Sequence, residues 1–241
     1  NSRGQLVSSK SKKISKSVNT RVEVGLVKAY KFPTDTYTLR LNLIDSVANY
    51  GVSSSKRFFV YNPSIVTPDT FQTTVSPVLS TTFGAMSEEE IDDLFDKSRY
   101  IATVPEIEKY KALSTEDAKR EFIYNFWKDR DENPSDERNE YYLTYTKRVI
   151  DSDARYTALG KQGWKTDRGR VFIVYGEPSE IERHPNETDA RPYEIWKYES
   201  LEGGVIFVFG DLTGFSDYQL LHSTKRGELR DDYWQSRIAV Q

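Results

Sequence analysis

Hydrophobic and polar residues alternate along the first third of the chain, and this spacing is typical of β-strands. The alternation runs through residues 22–27 and 37–43, and residues 58–61 form a further short apolar run. In residues 37–43 every second side chain is apolar, so one face of that strand is predicted to be buried and the other to face water. Together these runs predict a β-sandwich-like module over residues 1–80, and the small number of strands leads us to expect that the module is truncated.

Helical spacing begins at Ser87. Ser87 and Glu90 match a capping box, in which the hydroxyl and the carboxylate satisfy free backbone N–H groups at the start of a helix. A second helix is predicted to open near Ser114, and a third to run from about Asp136 to Tyr156. The predicted apolar positions of the three helices are Ile91, Leu94 and Phe95, then Ala118, Phe122, Ile123, Phe126 and Trp127, then Tyr142, Tyr145 and Val149.

The pattern returns to strands after Gly163. Strands are predicted at residues 171–175, 195–198, 205–209 and 218–221, with a hairpin turn at Gly203-Gly204. Ser179 is predicted to start a short helix. Residues 228–238 are predicted to form a closing helix. The fold class is therefore predicted as α+β, with residues 81–241 forming a domain of helices followed by a small antiparallel sheet.

Composition supports a folded core and excludes several partners. Hydrophobic residues make up only 37%, but 13% of the chain is aromatic, including 16 Tyr and 4 Trp, whose rings bury large areas. Acidic and basic residues are interspersed to a net charge of −3, so no global field favours nucleic acid or an acidic membrane surface. The lysines between Lys10 and Lys16 alternate with serines rather than aromatics, so they are interpreted as a solvated strand edge.

The absence of cysteine excludes disulfides, thiolate metal sites and cysteine nucleophiles. The sequence has no apolar run close to the roughly 20 residues that span a bilayer. The first residues do not resemble a signal peptide. Any membrane attachment is therefore expected to use an anchor outside this chain.

Candidate chemistry is sparse. His184 and His222 have no companions at metal-ligand spacing, and the sequence contains neither a Gly-x-Ser-x-Gly elbow nor a phosphate-binding glycine loop. No metal, cofactor or catalytic residue is predicted. Five carboxylates could supply an acid/base pair for glycoside hydrolysis, although solvated acids at a helix start explain them better. These are Glu177, Glu180, Glu182, Glu187 and Glu194.

Residues 163–170 concentrate the most unusual chemistry. In a structural interpretation, Gly163 and Gly169 take positive φ at turns, and Thr166 and Asp167 bond their own backbone. In a functional interpretation, the same cluster binds a ligand or a partner, with Asp167 and two arginines in contact with it. The candidate binding residues are Gly163, Trp164, Thr166, Asp167, Arg168 and Arg170.

A second aromatic and charged cluster lies upstream. Trp127 ends a predicted helix, and Asp129 and Asp131 follow it, so the two acids are candidates to pair with Arg168 or Arg170. We predict that Trp127 and Trp164 are both buried in one domain core. Trp196, on a predicted strand, completes the predicted structural residues.

The residues Gly163, Trp164, Thr166 and Asp167 match the signature of the GWxTD domain, and the chain resembles this family over residues 88–237. Further similar segments are Arg99-Tyr100-Ile101-Ala102-Thr103, residues 126–131 with Pro134, Asn139-Glu140, residues 193–198 and residues 207–209. The resemblance implies a periplasmic or outer-membrane-associated protein of a Gram-negative bacterium, often lipid-anchored. It implies no catalytic residues.

Two functions are consistent with these patterns. The first is a non-catalytic cell-envelope protein that binds other envelope proteins, as an accessory subunit of a membrane complex. The second is a carboxylate-based hydrolase that acts on cell-envelope glycans or peptides. The lack of a nucleophile, metal cluster or cofactor motif favours the first.

Overall fold

A computed structural model describes residues 1–14, 22–45, 48, 50–65, 77–133, 135 and 138–240. Helices and antiparallel strands occur in separate stretches, so the fold is α+β. The chain divides into two compact units, one of residues 1–95 with 108–126 and the other of residues 96–107 with 127–241. The proposed domain division between residues 80 and 81 stays a prediction.

The first unit begins with a two-stranded antiparallel hairpin of β1 (Asp35–Asp45) and β2 (Tyr50–Val60). β1 contains the predicted run at residues 37–43, and β2 contains residues 58–60 of the predicted run 58–61. The face of residues 37–43 that was predicted to be buried is exposed at Leu39, Leu41 and Leu43. Residues 22–28, all of which the structure describes, form no strand, so the strand predicted at 22–27 is wrong. The apolar residues of this run alternate as they would in a strand. However, Val22, Val24 and Leu26 are at least 80% exposed, so they are not packed against a core.

The helical part of the first unit follows a 3-10 turn at Pro77–Ser80. Its helices are α1 (Thr82–Ala85), the start of α2 (Glu88–Ser98), the end of α3 (Val104–Lys111) and most of α4 (Glu116–Lys128). The capping box is confirmed, because the Ser87 N–H donates to Glu90 at 2.9 Å and the Glu90 N–H donates to the Ser87 hydroxyl at 3.3 Å.

Aromatic packing holds these helices together. The rings of Phe95 and Tyr110 stack at 3.8 Å, and Phe122 lies edge-on to both. Ile91 and Ile123 are fully buried beside them, as the apolar stripes predict. Helix α3 was missed because Val104-Pro105 interrupts the periodic pattern, but Pro is well tolerated in the first turn of a helix.

The second unit contains α5 (Glu140–Tyr156), α6 (Asp167–Tyr175) and a four-stranded antiparallel sheet. The sheet order is β3-β4-β5-β6, and a short helix α7 (Gln235–Ile238) follows it. The strands are β3 (Glu180–His184), β4 (Tyr193–Tyr198), β5 (Val205–Gly210) and β6 (Gln219–Ser223). The predicted start of α5 at Asp136 lies outside the described residues.

The core of this unit lies between α5, α6 and the sheet. Both faces of β5 are covered, since Phe207, Val208 and Phe209 are fully buried. The predicted hairpin turn before β5 is confirmed, with φ of 82° at Gly203 and 113° at Gly204. The core residues are Tyr156, Val171, Phe172, Trp196, Tyr198, Val205, Phe207, Phe209 and Leu220.

Three predicted elements of the second unit are corrected. Residues 171–175 form the last turns of α6 rather than a strand, because Thr166 caps the helix start and Gly176, at φ 84°, ends it. Residues 180–184 form edge strand β3 rather than a short helix, and Glu180 lies directly opposite Lys197 on β4. The closing helix is limited to Gln235–Ile238.

Candidate functional site

The signature residues form the junction between α5, α6 and the sheet. Gly163–Lys165 is a 3-10 turn that leads directly into α6, and Thr166 is the N-cap of that helix. The Thr166 hydroxyl accepts a hydrogen bond from the Gly169 N–H at 3.0 Å and donates one to the Gly163 carbonyl at 2.7 Å. Thr166 is buried, so its side chain is used fully by the local backbone.

Gly163 of the signature and the nearby Gly169 are required for close approach and not for positive φ, which corrects the sequence interpretation. Neither is among the glycines with positive φ. A Cβ on Gly163 would lie 2.0 Å from the carbonyl oxygen of Ser152 in α5, and a Cβ on Gly169 would lie 1.9 Å from the Gly163 carbonyl oxygen. The backbone of the turn therefore packs directly on α5 and on the first turn of α6.

Trp164 is buried, as predicted, and its backbone is held from two sides. The Tyr100 hydroxyl donates to the Trp164 carbonyl at 2.8 Å, and the Trp164 N–H donates to the Asp153 carboxylate at 3.0 Å. The Tyr100 ring lies edge-on to the indole, with centroids 6.3 Å apart. Trp127 is buried in the same unit, so the predicted burial of both tryptophans is confirmed.

Asp167 joins α6 to the sheet. Its Oδ2 accepts a hydrogen bond from the Leu220 N–H at 2.8 Å, across 53 residues of sequence. We had expected it to bond its own turn, but Thr166 fills that role. A carboxylate at the N-terminus of α6 is also favoured by the helix dipole. Asp167 therefore fixes the position of β6 against α6.

An Asp167→Ala variant is expected to leave the Leu220 N–H without its acceptor and to lose about 1–3 kcal/mol of unfolding free energy. Asp167→Asn keeps an acceptor oxygen of the same shape and is expected to lose less. Chemical denaturation followed by circular dichroism measures both. Equal losses in the two variants would show that the charge, and not the hydrogen bond, is what matters.

Arg168 points toward β4 and not toward Asp129 or Asp131. Its Nη1 lies 3.3 Å from Glu194 Oε1, and its Nη2 donates to the Ser216 carbonyl at 3.2 Å. The guanidinium lies over the Tyr218 ring, 4.1 Å from the centroid. The second Glu194 oxygen accepts from Trp196 Nε1 at 2.9 Å. This network links the signature to the buried tryptophan of β4.

Arg170 forms a two-pronged ion pair with Glu228, at 2.8 and 2.7 Å, and the Tyr175 hydroxyl donates to the same carboxylate at 2.8 Å. Burial alone would raise the pKa of Glu228, but the hydrogen bonds from Arg170 and Tyr175 and the Arg170 charge outweigh it, so the pKa is lowered. Because Arg170 and Arg168 pair with Glu228 and Glu194, the predicted pairing with Asp129 and Asp131 is wrong.

The upstream cluster has a separate structural role. Asn139 caps α5 by accepting from the Tyr142 N–H, and its amide donates to the Trp127 carbonyl at 2.6 Å. The Trp127 ring lies 4.9 Å from Tyr142 and 5.3 Å from Tyr145. Asp131 accepts from the Asn133 N–H at 3.0 Å, and Asp129 is exposed. The acids therefore face the loop after α4.

Each of the five candidate carboxylates has a positively charged or histidine partner. Glu177 makes a two-pronged pair with Arg155 at 2.6 Å, and this pairing lowers its pKa. The other pairs are Glu180 and Glu182 with Lys197, Glu187 with His184, and Glu194 with Arg168 of α6 and Arg183 of β3. A general acid would need a raised pKa instead.

The remaining sequence candidates are also used locally. His184 stacks on Tyr193 at 4.3 Å, and His222 is buried with its Nδ1 2.8 Å from the Asp231 carbonyl oxygen. Among the described residues, no group of three or more acidic or histidine side chains could hold a metal ion. In the same residues, every helix is too short or too polar to cross a lipid bilayer.

Sequence reasoning missed the partners of the signature. Glu194, Ser216, Tyr218, Leu220 and Glu228 contact Arg168, Asp167 or Arg170 from positions 26 to 58 residues away. Only Glu228 could have been suspected as a partner from the sequence, because it is an acid in a polar segment after the last strand. Glu194, Ser216, Tyr218 and Leu220 come close to α6 only because β4, β6 and the loop before β6 pack against that helix.

The fold and this junction define an α+β domain in which a Gly-Trp-x-Thr-Asp turn connects a helical layer to an antiparallel sheet. The family model for the GWxTD domain matches residues 64–239, and the chain belongs to this family. No curated protein and no solved structure matches the chain.

Proposed function

We propose that this protein is a non-catalytic component of the bacterial cell envelope that acts as an accessory subunit of a protein complex. The proposed location is periplasmic or associated with the outer membrane, with any membrane anchor outside this chain. The proposed partners are other envelope proteins. The N-terminal hairpin is proposed to belong to a larger sandwich-like interaction module.

The observation that carries this proposal is the use of the signature side chains inside the fold. Thr166 caps α6, Asp167 holds the Leu220 N–H, and Arg168 and Arg170 are paired with buried or nearly buried carboxylates. Reactive groups in active sites are arranged to contact a substrate, whereas each of these groups contacts another group of the protein. The motif is therefore interpreted as a structural junction that shapes a domain surface.

The alternative hydrolase receives less support from the arrangement of carboxylates. A glycosidase needs one carboxyl group with a raised pKa to protonate the leaving group. The Arg155 guanidinium instead stabilises the charged form of Glu177. Glu194 is enclosed by Arg168, Arg183 and the Trp196 N–H. These contacts orient both carboxylates toward protein groups.

Co-purification from the native membrane tests the proposal. The tagged full-length protein is expected to bring down a fixed set of envelope proteins at constant stoichiometry, and tagging one of those proteins is expected to recover this chain. Gly163→Ala, which disturbs the junction, is expected to reduce recovery, whereas Gly25→Ala, at an open position, is expected to retain it.

A chain that elutes alone in both directions would contradict the proposed accessory role. The hydrolase would be supported if the purified protein released soluble fragments from cell-wall material. In that case Glu177→Gln and Glu194→Gln identify the acid, because only the variant of a catalytic residue would abolish release while the thermal unfolding midpoint stayed close to the wild type.

A further inference from the structure

The β1–β2 hairpin exposes an apolar face. The strand register places Leu43 opposite Val52, Leu41 opposite Ser54 and Leu39 opposite Lys56, and residues directly opposite share a face of an antiparallel pair. The exposed apolar side chains on this face are 40–66% accessible. They are Leu39, Leu41, Leu43, Tyr50 and Val52.

The opposite face of the hairpin is mostly polar, so the ribbon is amphipathic. It carries Thr38, Arg40 and Asn42 on β1 and serines together with Arg57 on β2, all exposed. Ile44, near the turn, is an exposed apolar residue on this face. The apolar face is covered at the end of the hairpin far from its turn, where Tyr37 is buried against Phe32 and Phe58. A contiguous exposed apolar patch of this kind marks an interaction surface.

Charge is divided sharply along the chain, although its sum is small. Residues 1–80 contain 11 Lys and Arg against 4 Asp and Glu, a net charge of +7, whereas residues 81–241 contain 23 against 33, a net charge of −10. On the hairpin itself, three bases face two acids: Lys56 and Asp45 lie on the apolar face, Arg40 and Arg57 lie on the opposite face, and Asp35 is buried. The exposed apolar face therefore belongs to the basic segment of an otherwise acidic protein.

We propose that the β1–β2 hairpin binds the surface of a lipid bilayer that contains anionic lipids, with its apolar face in the boundary between headgroups and acyl chains. A basic element with an apolar face matches both properties of such a surface, negative charge outside and hydrocarbon beneath. The positive charge of residues 1–80 is attracted to such a surface, whereas the net negative charge of residues 81–241 is not.

The individual side chains fit this orientation. Tyr50 has the apolar ring and polar hydroxyl that are enriched at bilayer interfaces. Lys56 lies on the apolar face opposite Leu39, where its methylenes can stay with the leucine while its amine reaches a lipid phosphate. The inference goes beyond the proposed accessory role, because it concerns lipid and not a protein partner. It adds a peripheral lipid contact to any anchor outside this chain, and it requires that the larger sandwich-like module leave this face of the hairpin uncovered.

Vesicle co-sedimentation of the full chain tests the proposal. The protein is expected to sediment with phosphatidylcholine vesicles that contain phosphatidylglycerol, to bind pure phosphatidylcholine at least about tenfold more weakly, and to be released by added salt. The Leu41→Ser/Leu43→Ser variant is expected to lose binding about tenfold or more, since two leucines no longer enter the interface.

The control is Leu159→Ser, which removes a leucine that is 80% exposed and lies outside the basic segment, and it is expected to bind like the wild type. Lys56→Gln is expected to weaken binding about fivefold at low salt and little at high salt. All variants change exposed residues, so their thermal unfolding midpoints should match the wild type.

Three results would overturn the proposal. They are equal binding to neutral and anionic vesicles, unchanged binding by the double leucine variant, and no binding to either vesicle. If the leucine variant instead dissociates a dimer or releases an acidic protein partner while vesicles do not bind, the face serves a protein, and the lipid proposal is wrong.

Discussion

Gly163→Ala is expected to destabilise the second unit by about 3 kcal/mol or more, with a fall in the thermal midpoint on the order of 10 °C. The added Cβ would lie 2.0 Å from the Ser152 carbonyl oxygen and 2.7 Å from the Asp153 Cα. Both are backbone atoms of α5, so no flexible side chain can move away. Differential scanning calorimetry of the purified chain measures the effect.

Gly25→Ala is the matched control, because a Cβ at Gly25 meets nothing within 4 Å and its φ is not positive. Its midpoint is expected to stay within experimental error of the wild type. A Gly163→Ala variant as stable as the Gly25→Ala variant would mean that the turn does not pack on α5 as described. The GWxTD signature would then need a different explanation for its first glycine.

Arg170→Met is expected to lose about 3–5 kcal/mol of unfolding free energy, because it leaves the Glu228 carboxylate buried without its cation. The Glu228 side chain is 10% exposed, and Arg170 and Tyr175 supply the hydrogen bonds described above. The double variant Arg170→Met/Glu228→Leu removes the stranded charge and is expected to recover most of the loss. Urea unfolding of the two variants measures the difference.

Arg155→Met is the control, since Arg155 and Glu177 form a similar two-pronged pair with side chains 41% and 58% exposed. Water screens that pair, so the expected loss is below about 1 kcal/mol. Equal losses in the Arg170 and Arg155 variants would contradict the role given to burial.

The same buried pair makes stability depend on pH. The pKa of Glu228 is lowered in the folded state, so its contribution is present above the unfolded pKa of about 4.3 and is lost as the pH falls through the folded value. The Glu228→Gln variant is expected to show a shallower loss of stability in that acidic range. An unchanged slope would remove Glu228 from the groups that set acid stability.

Local patterns predicted the elements whose ends are marked by side chains close in sequence. The Ser87–Glu90 capping box located α2 within one residue, and the apolar spacing of Ile91 and Phe95 identified its buried face. The glycine pair at 203–204 located the turn between β4 and β5. These features depend on contacts within about four residues, which the sequence displays directly.

The hydrophobic pattern gave the wrong element where a segment is buried on all sides, because its helical period is then not visible. Val171, Phe172 and Ile173 are all buried, because α6 lies between α5 and the sheet, and a short apolar run does not distinguish a helix from a strand. The sequence did contain signals for a helix here, because Thr166 is a favourable N-cap residue and Gly176 a favourable residue after a helix end. On β3, Glu180 and Glu182 were explained by a helix dipole, but cross-strand pairing with Lys197 explains them.

The sequence by itself determined the α+β class, the order of helices before the small sheet, and the family through residues 163–167. Only the tertiary structure decided what those signature residues do. The close approach of Gly163 to α5, the Asp167 bond to Leu220 and the Arg170 pair with Glu228 join segments 10 to 58 residues apart. Such contacts depend on which helices and strands pack against each other in three dimensions. The spacing of apolar residues within one element does not indicate this packing.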